Sequence, residues 1–240
     1  MRMKSNETMS KHRRQSTWID TSARIVLGAL FLIVLGAFSY LATSVDHFPG
    51  EVRISIWIQS WQLPGIKASM KAASMAGQEQ VAVSIVFLAG VALFMSGLRK
   101  ESGMIVGATL VGYGIRTALK SMIARPRPMD DLVQVMEQAD GYSFPSGHVM
   151  HYTVFLGTLV FILSVGMKSR LIRWVVQMSV IALLVYIGLS RIYLGAHWLG
   201  DVVAGYAFGA VVVAGTIWAL RKWTDGRESI RSSDVSSSSS

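Results

Sequence analysis

Long apolar runs alternate with short charged breaks along most of this chain. Six runs stand out, from Ala23 to Leu41, Val81 to Leu98, Gly103 to Leu119, Val149 to Gly166, Trp174 to Leu189 and Trp198 to Leu220. Each is close to the length needed to cross a bilayer, because about 20 helical residues rising about 1.5 Å apiece cover the hydrocarbon. The pattern predicts an all-α fold, a polytopic membrane bundle of about six transmembrane helices. Between the first two runs, Val52 to Trp61 alternates apolar and polar residues, and Ile66 to Met75 is rich in small residues and weakly amphipathic. Both are expected to lie along the membrane surface. Residues 1–22 are basic and polar, and residues 223–240 end in a serine run. Both are expected to be disordered tails, which leaves 23–222 as one membrane-embedded domain. The first run is too long for a signal-peptide core and no small-residue cleavage site follows it, so a retained anchor is expected.

Composition strengthens this picture. With 52% hydrophobic residues, 15% charged residues and a mean hydropathy of +0.44, the chain has more apolar surface than a small soluble core buries. It has no cysteine, which excludes disulfides and thiolate metal sites. The net charge of +9 is spread over short segments between apolar runs and forms no continuous basic face. The expected partners are therefore the bilayer and an anionic lipid, with no nucleic acid. Hydrophobicity alone leaves the oligomeric state open.

Charge also orients the chain. The N-terminal tail, the turn with Arg99 and Lys100, the turn with Lys168, Arg170 and Arg173, and the C-terminal tail fall on one face. The positive-inside rule makes that face cytoplasmic, with both termini on it. Arg116, Lys120, Arg125, Arg127 and Arg191 run against the rule, clustering around two loops on the opposite face. Those loops carry three blocks: Lys120 to Pro128, ending Arg-Pro-Arg-Pro; Pro145-Ser146-Gly147-His148; and Ser190-Arg191, five residues, His197, three residues, Asp201. The span plan brings all three to one membrane face.

In order and internal spacing the blocks resemble the signature of the type 2 phosphatidic acid phosphatase superfamily: Lys, six residues, Arg-Pro; then Pro-Ser-Gly-His; then Ser-Arg, five residues, His, three residues, Asp. Every signature position is filled. The resemblance implies a hydrolase of lipid phosphates or pyrophosphates, in a cell membrane, with its active site on the extracytoplasmic side. Phosphatidic acid, phosphatidylglycerol phosphate, diacylglycerol pyrophosphate and undecaprenyl pyrophosphate fit such a site. The size and span plan look like bacterial members acting on phosphatidylglycerol phosphate or undecaprenyl pyrophosphate.

The chemistry agrees with the residues. Phosphoryl transfer depends on positioning and fixed positive charge, which Lys120, Arg127 and Arg191 supply. Ser146 and Gly147 sit where a helix should begin, so their N–H groups can point at an anion, and Pro145 suits such a start. Two histidines suggest a nucleophile and a proton donor. The resemblance assigns His197 as nucleophile, through a phosphohistidine, and His148 as the acid that later activates water. Asp201, one turn after His197, can orient its ring. The blocks hold one carboxylate among several cations, so neither metal nor cofactor is expected.

Other residues carry weaker expectations. Arg125 falls outside the signature and reads as a basic rim touching headgroups. Asp130, Asp131, Glu137 and Asp140 read as a solvated loop face. His12, His47 and His151 receive no catalytic role, although His151 lies three residues from His148. Gly195, Gly200, Gly205 and Gly209 are expected to permit close helix packing. The rival readings are a vanadate-dependent haloperoxidase, which shares the anion-binding signature but is soluble, and a lipid or anion transporter, which needs ionisable residues along a crossing path.

Overall fold

The computed structural model describes the backbone of residues 25–237 and the side chains of residues 25–222. It is all-α, as the apolar runs predict, with no strand among the described residues. The helices are α1 (Ile25–Leu41), α2 (Glu51–Gln59), α3 (Ile66–Ala76), α4 (Glu79–Met95), α5 (Arg99–Ile123), α6 (Gly147–Gly166), α7 (Arg170–Tyr193) and α8 (Leu199–Ser237). Three of them, α6, α7 and the Leu199–Lys222 part of α8, are long and apolar enough to cross a membrane. The pair α3–α4, bent by 61° at its break, passes the same test as a fourth. The helix α1 is apolar but shorter, and α5 has 25 residues but carries Arg99, Lys100, Glu101, Arg116 and Lys120.

The centre of the bundle is α6, which packs against α5, α7 and α8. Its approach to α8 depends on glycine. A Cβ on Gly209 would lie 2.6 Å from Thr153 Cβ, and one on Gly205 would lie 3.0 Å from the Ser146 carbonyl oxygen. Four residues apart, the two form one smooth face on α8, as expected from the sequence. Gly195 has a different role. It sits in the turn between α7 and α8 with φ of +69°, and a Cβ there would lie 2.2 Å from the Gln134 carbonyl oxygen.

The short helices α2 and α3 pack on the end of the bundle where the three blocks lie, α2 against α7 and α8 and α3 against α7. The Gln59 side chain of α2 donates to the carbonyls of Gln134 (2.7 Å) and Tyr193 (3.1 Å), tying the loop between α5 and α6 to the end of α7. The expected tail of residues 1–22 lies outside the described residues. The stretch expected as a second tail, 223–240, instead continues α8 to Ser237. No proline interrupts it, and its charged residues include good helix formers.

Candidate active site

The three blocks meet at one end of the bundle. Lys120 lies in the last turn of α5 and Arg127 in the loop that follows. Ser146 is the N-cap of α6, with Pro145 just before it and Gly147 and His148 in the first turn. Arg191 closes α7, His197 sits in the α7–α8 turn, and Asp201 lies in the first turn of α8. That turn is tight because the N–H groups of Ala196 (3.0 Å) and His197 (3.2 Å) both donate to the Arg191 carbonyl. A bond of 2.9 Å from the Ser146 N–H to the Asp201 carbonyl joins the second block to the third.

His197 is 2% exposed, and its two ring nitrogens face different groups. An Arg127 Nη lies 3.3 Å from Nε2. Arginine has no acceptor, so this contact requires a lone pair on Nε2 and puts the ring proton on Nδ1. Nδ1 faces Asp201 Oδ2 at 3.5 Å and Ser143 Oγ at 3.3 Å. Burial, and then the charges of Arg127, Arg191 and Lys120, hold the imidazole well below its ordinary pKa. His197 is therefore neutral near pH 7, with the Nε2 lone pair turned toward Arg127.

Asp201 is fully buried, and each of its oxygens is engaged. Oδ2 accepts from the Trp198 N–H (2.9 Å) and from Ser143 Oγ, while Oδ1 accepts from Arg125 (2.7 Å). Arg125 is not the headgroup rim expected from the sequence. Its side chain is buried between Asp201 and Glu51, pairing with Glu51 Oε2 at 2.6 Å, and its guanidinium lies 4.6 Å from the Phe48 ring. Glu51 also accepts from the Gly200 N–H (2.6 Å), so the start of α2 is bonded to the start of α8. One arginine thus bridges two buried acidic side chains. Arg125→Met should leave both uncompensated and cost about 3–5 kcal/mol. Thermal unfolding in detergent should then shift down by about 10 °C or more; an unchanged melt would mean that the pair carries no stability.

The acidic loop also departs from expectation. Met136 and Glu137 donate their N–H groups to the Leu194 carbonyl (2.9 and 3.1 Å), which places Glu137 inside the site instead of on a solvated face. Its carboxylate pairs with the buried Arg191 at 2.9 Å and accepts from Ser74 Oγ at 2.8 Å. Desolvation raises the Glu137 pKa, but the Arg191 charge and the Ser74 hydrogen bond together outweigh it and hold the carboxyl below its ordinary value. Ser74 also serves His148, whose Nε2 donates to the Ser74 carbonyl at 3.1 Å. Beside them, Gly77 leaves room for the imidazole, since a Cβ there would lie 2.0 Å from His148 Cδ2.

The cations are held differently from one another. Arg127 donates to the carbonyls of Gly141 (2.9 Å), Ala196 (2.8 Å) and Asp140 (2.9 Å), so its fork is fixed beside His197. Lys120 donates to the Tyr142 carbonyl. Ser146 Oγ, at the N-terminus of α6 where unpaired N–H groups favour an anion, and Arg191 Nε, at the end of α7, are both buried with no protein partner. Lys120, Arg127, Arg191, His148 and His197 line a cavity of about 700 Å³. The cavity continues between Val83, Val86 and Phe87 of α4 and Val106, Leu110 and Tyr113 of α5, passing from a charged end to an apolar one.

All eight residues singled out from the sequence therefore lie at this end of the bundle. Sequence reasoning missed Glu51, Ser74, Ser143 and the site position of Glu137, and it misplaced Arg125. The charge of Arg125 against the topological rule was a signal, and it was shared with Arg127 two residues on.

A family model described as the PAP2 superfamily matches residues 102–225. Over 168 residues the chain is 30% identical to a decaprenylphosphoryl-5-phosphoribose phosphatase of Mycobacterium tuberculosis, covering 69% of this chain and 88% of that one. It is 33% identical over 144 residues to a lipid A 4'-phosphatase of Porphyromonas gingivalis, covering 55% of this chain and only 57% of the relative. The fold is similar to the crystal structure of a transmembrane PAP2-type phosphatidylglycerolphosphate phosphatase from Bacillus subtilis. That match has a TM-score of 0.69 and 19% identity, and covers 79% of this chain and 96% of the other.

Proposed function

This chain belongs to the PAP2 superfamily, and from that membership we propose that it is a multi-pass membrane phosphatase that hydrolyses lipid phosphates or lipid diphosphates without a metal. The observation that carries this reading is the Arg127–His197–Asp201 line. A cation fixed by three carbonyls faces Nε2 of a neutral imidazole, whose other nitrogen faces a buried carboxylate. In the proposed reaction His197 Nε2 attacks phosphorus and forms a phosphohistidine. His148 protonates the leaving oxygen and then activates the water that releases phosphate. Asp201 holds the His197 tautomer and offsets the charge that develops on the ring. Lys120, Arg127, Arg191, the Ser146 hydroxyl and the Gly147 N–H hold the phosphoryl oxygens, while the Ser146 N–H, expected from the sequence to do the same, is taken by the Asp201 carbonyl.

The apolar arm of the cavity supports a lipid substrate, since tails can lie between α4 and α5 while the headgroup reaches the cations. The relatives' names also all denote lipid-linked phosphates. In this reading 23–222 is the phosphatase domain, crossing the membrane six times with both termini cytoplasmic and the site outside.

The test is phosphate release by purified protein in detergent with chelator present, from phosphatidic acid, phosphatidylglycerol phosphate and undecaprenyl diphosphate. Release that survives chelation is expected. A strict need for added divalent metal would overturn the mechanism, and no release by folded protein from any of the three would overturn the assignment.

A further inference from the structure

One cation of the cavity has no place in this scheme. Arg116 lies four residues before Lys120 on α5, and His151 lies three residues after His148 on α6. Both line the same cavity as the catalytic residues. The two helices pack together, and each residue is one turn, about 5.4 Å, further along its helix from the charged end. The Arg116 guanidinium lies against the first turn of α6, where a Cβ on Gly147 would be 2.9 Å from its Nη1. Glycine at 147 thus admits the arginine beside His148.

Unlike its neighbours, Arg116 is not satisfied by protein. Arg125 pairs with two carboxylates, Arg191 with one, and Arg127 with three carbonyls. Glu79 and Glu137 line the cavity too, but among the described residues no carboxylate lies within ion-pair distance of Arg116. Its contact is with the Tyr113 ring at 4.6 Å, and its Nε is buried without a partner. His151 Nε2 is likewise buried and unpartnered, its ring stacked on Phe155 and edge-on to Tyr152. Unpaired polar groups inside a membrane bundle are costly unless a ligand meets them, and an anion meets both the guanidinium and an imidazole N–H.

We propose that Arg116 and His151 form a second anion subsite, which takes the phosphate that stays on the lipid when the substrate is a lipid diphosphate. This rests on the phosphatase reading above. In-line attack by His197 places the leaving group on the side of the phosphorus away from His197. His197 Nε2 bonds to the terminal phosphorus as the bond to the bridging oxygen breaks. The electron pair departs on that oxygen, giving a lipid monophosphate whose growing charge Arg116 meets. Water then cleaves the phosphohistidine and inorganic phosphate is released. The sum is lipid diphosphate plus water giving lipid monophosphate plus phosphate.

Farnesyl diphosphate and farnesyl monophosphate share a tail and differ by that one phosphate, so the pair isolates the subsite. Arg116→Gln should lower kcat/KM for the diphosphate about 10- to 100-fold more than for the monophosphate, the scale of a lost charge-assisted hydrogen bond. His151→Phe, which keeps the ring stacking, should shift the ratio in the same direction, and it serves as the test if Arg116→Gln does not fold. Wild-type turnover of both substrates with an unchanged ratio in a folded variant would overturn the subsite alone. Turnover of neither by wild type would overturn the phosphatase reading and the subsite with it.

Discussion

His197→Ala protein, folded and extracted like wild type, should release no phosphate from any lipid, a loss of about ten-thousandfold or more. The reason is local. Nε2 of His197 carries a lone pair and faces Arg127 in the cation-lined cavity, and among the described residues neither of the other two imidazoles that line it, His148 and His151, makes that contact. His148 is turned to the Ser74 carbonyl. Brief incubation with substrate labelled in the phosphate, followed by an alkaline quench, should give labelled wild-type protein and unlabelled variant. Label persisting in the variant would remove His197 as the nucleophile. The depressed pKa adds a second readout. Because His197 stays neutral as pH falls through about 6.5, it should contribute no acid limb to kcat/KM at the ordinary imidazole value. The same shift disfavours the folded state in acid. The unfolded chain takes up this proton near pH 6.5 and the folded one does not, so stability should decline below that pH.

Arg127→Gln should cost about a hundredfold to a thousandfold in kcat, the range for losing one preorganised donor at developing charge. The side chain is not a mobile counterion, since three carbonyls fix its fork and leave an Nη at 3.3 Å from Nε2 of His197, the proposed nucleophile. Arg127→Lys should therefore fail to restore the rate, because an ammonium cannot satisfy that fork and reach the phosphoryl oxygens together. Full rescue by lysine, measured on folded protein, would mean that charge alone matters at this position.

The parts of the site legible in the sequence were those encoded by short spacings. Arg191, His197 and Asp201 lie within one turn-containing segment, and their order carries over directly into the α7–α8 turn. Ser146 and Gly147 were readable as a helix start because helix termini leave N–H groups free wherever they occur. What remained hidden joins residues far apart in the chain. Arg125 meets Glu51 and Asp201 across separations of 74 and 76 residues, and Arg191 meets Ser74 across 117. No local pattern marks such pairs, because each partner looks like an ordinary polar residue in its own neighbourhood. The apolar runs likewise reported helices well, but charges within α5 and the bend between α3 and α4 depend on what packs around them. Glu137 was misread for the same reason, since it is the Leu194 carbonyl that draws its loop inward.

The cavity between α4 and α5 has walls of unequal duty. The α5 wall carries Lys120 and Arg116, and the other histidines and arginines belong to α6, α7 and the loops that join α5 to α6 and α7 to α8. On α4, beyond Glu79 and Gln80 in its first turn, Ala82, Val83, Val86 and Phe87 offer only apolar shape. Drift in those four positions could recut the mould for a lipid tail while leaving every charged partner at the catalytic end in place. One helix is thus free to explore new lipids while the reaction stays the same.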